Sequence, residues 1–135
     1  MNKENKKIEI SQKNITYIKG IVFGLIATAL CVMLFSLIML LFELSYKFAA
    51  PFATVSVAVG SFVASFVTAK NIGSKGYLIG IIIGIIVFVI VTVIALAVNK
   101  SGITGNTLFH FIIITLASVV GGITGVNYNK NKKYI

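Results

Sequence analysis

Arginine, aspartate and tryptophan are absent from this 135-residue chain, and cysteine, proline and histidine occur once each. The single cysteine, Cys31, excludes an intrachain disulfide and falls within an apolar block, where a thiol behaves as a small hydrophobe. Without aspartate there is no Asp-based phosphoryl or proton chemistry. One histidine and one cysteine in opposite leaflets cannot build a metal site. No Walker-type phosphate loop occurs, and the glycines lie inside apolar runs rather than after a strand. These absences predict no cofactor, no metal and no enzymatic activity. Charge is scarce as well, at 11% of residues, too little for the surface of a soluble domain this small.

What is present is apolar. Hydrophobic residues make up 58% of the chain and the mean hydropathy is +1.02. Water would leave much of that surface uncovered, whereas a bilayer does not. The net charge of +9 comes entirely from lysines in short flanks beside the apolar blocks. Such flanks lack the aromatic interleaving or continuous stripe of a nucleic-acid surface, so no nucleic-acid partner is expected. All-lysine basicity, nine asparagines and abundant isoleucine suggest an AT-rich genome, such as that of a low-GC Gram-positive bacterium.

Four blocks are long enough to cross a bilayer as helices, at 20–43, 51–69, 76–98 and 108–126. The third is nearly unbroken Ile and Val, but an isolated strand in lipid would leave its backbone unpaired, so helix is expected there too. Residues 1–19 and 127–135 read as basic tails, the first turning into an interfacial helix near Asn14, with Asn127 ending the last span. Pro51 suits the first turn of the second helix. The first block is too long for a signal peptide and no small-x-small cleavage site follows it. Counting lysines places ten on the side of the termini and two, Lys47 and Lys100, on the other. That asymmetry predicts both termini in the cytoplasm of a cell with a multi-pass plasma-membrane protein. The fold class is therefore all-α, a four-transmembrane-helix bundle.

The bundle reads as two helical hairpins in parallel repeat. Lys19-Gly-Ile-Val-Phe-Gly24 opens the first span and Lys75-Gly-Tyr-Leu-Ile-Gly80 the third, fifty-six residues later. Gly60-Ser-Phe-Val-Ala64 corresponds to Gly121-Gly-Ile-Thr-Gly125 at a spacing of sixty-one. Lipid gives helices no hydrophobic drive to associate, so close approach at small residues matters more than in water. Gly20 and Gly24, then Gly76, Gly80 and Gly84, line one face of the odd helices. Gly60, Ala64 and Thr68, then Gly121 and Gly125 with Ser118 and Gly122 beside them, do so on the even ones. These faces predict packing within one bundle, or against a second copy or another membrane protein.

Two ionisable residues approach the hydrocarbon, Glu43 at the outer end of span one and His110 near the outer start of span four. Glu43 reads as an interfacial carboxylate within reach of Lys47 at i,i+4, and His110 as a headgroup-level polar residue. Together at the outer surface they would form a pH-sensitive pair, and the only reactive pair available to a lipid-acting enzyme. The deepest polar groups are the hydroxyls of Thr28, Ser36, Ser65, Thr92 and Thr115.

The string Gly60-Ser-Phe-Val-Ala-Ser-Phe-Val-Thr-Ala-Lys70-Asn-Ile-Gly-Ser-Lys-Gly76-Tyr-Leu-Ile-Gly80, with Gly121-Gly-Ile-Thr-Gly-Val-Asn127, resembles a YrzE-like family of small four-span membrane proteins of Gram-positive bacteria. The likeness covers about residues 15–128. Lys70 stands where Arg is usual and Tyr77 where Trp is common. The resemblance implies architecture and lineage but no activity, since that family's function is unknown. The function expected from the sequence is a membrane-embedded structural or interaction subunit, and the alternative is a small oligomeric transporter or channel.

Overall fold

The computed structural model describes residues 2–98 and 106–133. Helices α1 (Lys3–Leu41), α2 (Ala49–Ile72), α3 (Gly76–Val98) and α4 (Asn106–Lys133) make up nearly all of it, with a short 3-10 turn at Tyr46–Phe48 and no strand among the described residues. All four helices are long and apolar enough to cross a membrane. The loop over 99–105, including Lys100, lies outside the described residues.

At 1.5 Å per residue the 39 residues of α1 extend about 58 Å, well beyond the ~30 Å hydrocarbon core. The helix thus begins at Lys3, in the segment expected to be a tail. Lys, Glu, Gln and Ile are adequate helix formers, Glu9 and Lys13 stand in the favourable i,i+4 order, and no Gly or Pro interrupts before Gly20. At the other end of the chain α4 continues past Asn127, which sits exposed within the helix rather than terminating it.

Two helix ends are closed by a residue in the left-handed region. Beyond α1, Glu43 has φ 48 and the Leu44 N–H donates to Met39 O at 3.1 Å, the 6→1 bond of a Schellman motif. After α2, Gly73 has φ 72 and its N–H donates to Ala69 O at 2.8 Å. Gly73 adopts this geometry freely, whereas Glu43 carries a Cβ that disfavours it. Three residues, Gly73 to Lys75, then suffice to join α2 to α3.

Helix α2 is the hub. It packs against α1 on one side and against α4 and α3 on the other, and α3 also packs along α4. Neither α3 nor α4 makes more than a marginal contact with α1. Accordingly 39% of the α2 span is buried and only 6% of that of α1. The core is small and partly hydroxylic, with Ala64, Ala69, Ile79, Ile83 and Ile114 beside Ser56, Ser61, Ser65, Thr68 and Ser118. Small side chains let backbones close on one another, which is how helices gain packing energy in lipid.

Candidate functional site

Three polar clusters stand out, one at each end of the bundle and one in its middle. At the end away from the termini, Thr54 Oγ1 lies 2.8 Å from His110 Nδ1 and 3.0 Å from Ala50 O. The hydroxyl has one proton for two partners. When it donates to Ala50 O, as helical threonines do, His110 must donate through Nδ1–H, leaving Nε2 as an acceptor. His110 is half-buried and joined to α2 by this bond, not to Glu43. Glu43 is exposed and lies beyond the end of α1, so the helical i,i+4 relation to Lys47 does not apply. Its backbone ends the helix. Nearby, Phe35 stacks on Phe52 with centroids 4.9 Å apart and fastens the far end of α1 to α2.

At the end that carries both termini, α4 grips the end of α2. Asn129 Nδ2 donates to Lys70 O at 2.9 Å, and Lys70 Nζ stands 4.5 Å from the centre of the Tyr128 ring. Phe66 meets the same ring at 6.0 Å. Sequence reasoning missed this clamp. Its signal was the spacing of Asn129 one full turn beyond Gly125, visible only once α4 is known to continue past residue 126.

In the middle, most hydroxyls return to their own helix. Thr28, Ser56 and Thr68 donate to the carbonyls of Gly24, Phe52 and Ala64, each at 2.8 Å. Ser61 Oγ lies 2.9 Å from Ala58 O and 3.3 Å from Ile114 O, reaching across to α4. Thr115 Oγ1 and Ser118 Oγ, one turn apart on α4, are buried with no hydrogen-bond partner. Among the described residues no group of three or more His, Cys, Asp or Glu side chains could hold a metal ion.

The small residues occupy the helix crossings. A Cβ on Gly24 would lie 2.7 Å from Gly60 O, and one on Gly20 would strike the Thr68 side chain. Gly60 faces Thr28 and Gly24 in return, with Ala64 between Gly20 and Gly24. On the other side of the bundle Gly76 abuts Gly122 and Val126, and Gly80 abuts Ser118 and Val119. Gly84 faces Thr115 and Ser118 with more room. Gly121 and Gly125 pack against the Phe62 and Phe66 carbonyls of α2, not against α3. By contact, then, Gly60 and Ala64 correspond to Ser118 and Gly122, a shift of fifty-eight rather than the sixty-one read from the glycines alone. With α3 and α4 both leaning on α2, α4 needs two small faces, and Gly121-Gly122 supplies one residue to each.

Comparison with curated proteins and with solved structures gives no match. A family model matches residues 13–125, from the charged part of α1 to the small-residue face of α4, and so covers all four crossings. With most of its length in that match, this four-helix membrane chain belongs to the family described as "Protein of unknown function (DUF3792)".

Proposed function

We propose that the chain is a membrane-embedded interaction subunit, without catalytic activity, cofactor or nucleic-acid partner. The observation that carries this is the amino-terminal arm of α1. About seventeen residues of helix extend past what the hydrocarbon core requires, with Ile8, Ile10, Ile15 and Ile18 all roughly half exposed or more. Ile8, Ile15 and Ile18 recur at spacings of seven and three, on one stripe of a helix. Each isoleucine, about half exposed, forgoes on the order of half of the ~1.5–3 kcal/mol of full burial. A stripe of them on an arm flanked by lysines fits a second polypeptide at the membrane surface.

The lysine asymmetry supports a cytoplasmic location for both termini, and hence for the arm. Together with the Gly/Lys motifs it supports a YrzE-like lineage in Gram-positive bacteria and a plasma-membrane location. The partner is a second copy or another membrane protein. The test is to replace Ile15 and Ile18 with Glu. Membrane insertion should survive while the co-purifying polypeptide is lost; an unchanged complex would refute the assignment to the arm.

A second reading, a small oligomeric transporter or channel, draws on the unpartnered hydroxyls of Thr115 and Ser118 at mid-membrane. It requires ion flux in proteoliposomes that falls in the Thr115→Val, Ser118→Ala double variant. Proteoliposomes with no flux above the empty-vesicle leak would remove it.

A further inference from the structure

Helix α1 has two faces, and α2 takes only one. Gly20 and Gly24 are buried against α2, and Tyr17 packs on the core beside them. On the opposite side residues recur in heptads, with two positions of each seven forming the seam of a coiled coil. Ile8, Ile15, Val22, Ala29 and Ser36 form one row, Ser11, Ile18, Leu25 and Val32 the other, and every one of them is exposed. With Ile8 as position a, Lys6, Lys13 and Gly20 fall at f, and Tyr17 and Gly24 at c. The α2 face and the free seam therefore lie back to back on one uninterrupted helix. We propose that this seam binds α1 of a second copy, as a parallel two-stranded coiled coil that runs from the arm into the membrane. The proposal rests on the reading of the arm as an interaction surface and names its partner.

The seam is complementary to itself. Two copies inserted with the same topology stand parallel, so their seams meet row to row about a two-fold axis along the membrane normal. β-Branched residues at a favour two strands, and a carries Ile8, Ile15 and Val22. The a row changes character where its solvent does. Isoleucine serves in the arm, where removal from water drives association. Ala29 and Ser36 serve within the span, where close backbone approach does, and they leave a shallow dent beside Val32, Met33 and Leu37. In a parallel pair, position g meets e of the next heptad on the other helix. Lys7 then meets Gln12 of the second copy and Asn14 meets its Lys19, so no lysine opposes a lysine across the seam. Lys3, Lys6 and Lys13 lie at c and f, away from it. Glu4, at d, opposes its own copy, which sets the start of the seam at Ile8. From Ile8 to Ser36 the seam runs about 42 Å at 1.5 Å per residue. A strip about 10–12 Å wide on each copy gives on the order of 1,000 Å² in all, the area a specific interface needs.

The test is disulfide trapping with a mild oxidant in isolated native membranes, on the full-length Cys31→Ala chain carrying one new cysteine. A disulfide needs Cα atoms within about 7 Å. Ile15→Cys at a and Ser11→Cys at d meet their copies across the seam, whereas Lys13→Cys at f stands about two helix diameters from its own. The first two should give about tenfold more linked dimer than Lys13→Cys. Adding Glu4→Leu, which extends the seam, should raise the yield at Ser11→Cys. All four positions are exposed, so these substitutions leave the bundle's packing intact. Equal trapping at Lys13→Cys, or none at Ile15→Cys and Ser11→Cys, overturns the proposal. If trapping fails while a different polypeptide co-purifies and is lost with Ile15→Glu and Ile18→Glu, the second copy is removed and the arm remains an interaction surface. A complex unchanged by those two substitutions removes both.

Discussion

Gly80 and Gly84 are one turn apart on α3 and face the same helix, yet they should respond differently to alanine. A Cβ on Gly80 would lie 2.5 Å from Val119 Cα and 2.6 Å from Ser118 O, both backbone atoms that cannot rotate away. Carbon atoms rest at about 3.5–4.0 Å, so α3 and α4 would have to separate by roughly 1 Å. A gap of that size forfeits a quarter to a half of each contact's dispersion well, and the loss extends to neighbours such as Gly76 on Gly122. Overpacking of this kind costs about 1–3 kcal/mol. In water the intrinsic gain of Gly→Ala, about 0.8–1 kcal/mol, would offset part of it. In a micelle the dissociated span stays helical to satisfy its backbone, so little of that gain applies. At Gly84 the same Cβ would meet Thr115 Cα at 3.1 Å and Ser118 Cβ at 3.3 Å, a mismatch of a few tenths of an ångström. Gly84→Ala should cost under about 1 kcal/mol, near the lower bound for overpacking. The assay is equilibrium unfolding in SDS mixed micelles, read by pulse proteolysis. If Gly80→Ala proves as stable as Gly84→Ala, the α3–α4 crossing is not where the structure puts it.

Further outcomes follow from the caps and clamps. Glu43→Gly should stabilise the bundle by about 0.5–1 kcal/mol, because glycine relieves the strained left-handed position at the end of α1; a loss of stability in SDS titration would show a role for the carboxylate. Gly73→Ala should destabilise by about 1–2 kcal/mol, from its positive φ and a Cβ 2.8 Å from Asn129 Nδ2. Asn129→Leu should cost about 0.5–1.5 kcal/mol through the lost bond to Lys70 O and should speed proteolysis near the α2–α3 turn. Thr54→Val should shift neutral His110 away from the Nδ1–H tautomer, as read by ¹⁵N NMR of the ring; an unchanged tautomer would mean that Thr54 does not set it.

The four helices were legible because lipid leaves an apolar run of twenty residues no other solution. The ends were not. Residues 3–19 are polar and lysine-rich with only scattered isoleucines and read as a tail, yet with no Gly or Pro to break it α1 begins there. Asn127 looked like a stop because asparagine favours helix ends, but Tyr128 and Asn129 gain partners on α2 only if the helix goes on. The small residues were visible as stripes, while the choice of neighbour was not. Gly121 and Gly122 are adjacent in sequence and serve different helices, a division fixed by how α4 sits between α2 and α3. The Thr54–His110 bond joins residues fifty-six apart at two helix ends, and no periodicity marks it. Glu43 was singled out for its charge, whereas its conformation is what the structure uses.

The assignment as an interaction subunit is tested most directly by purifying the tagged, full-length protein from its native membrane into nanodiscs and weighing the intact assembly. The account predicts a fixed stoichiometry with a second polypeptide, or a second copy, that is lost when Ile15 and Ile18 become Glu. A lone chain from the native membrane, carrying lipid only, would contradict it.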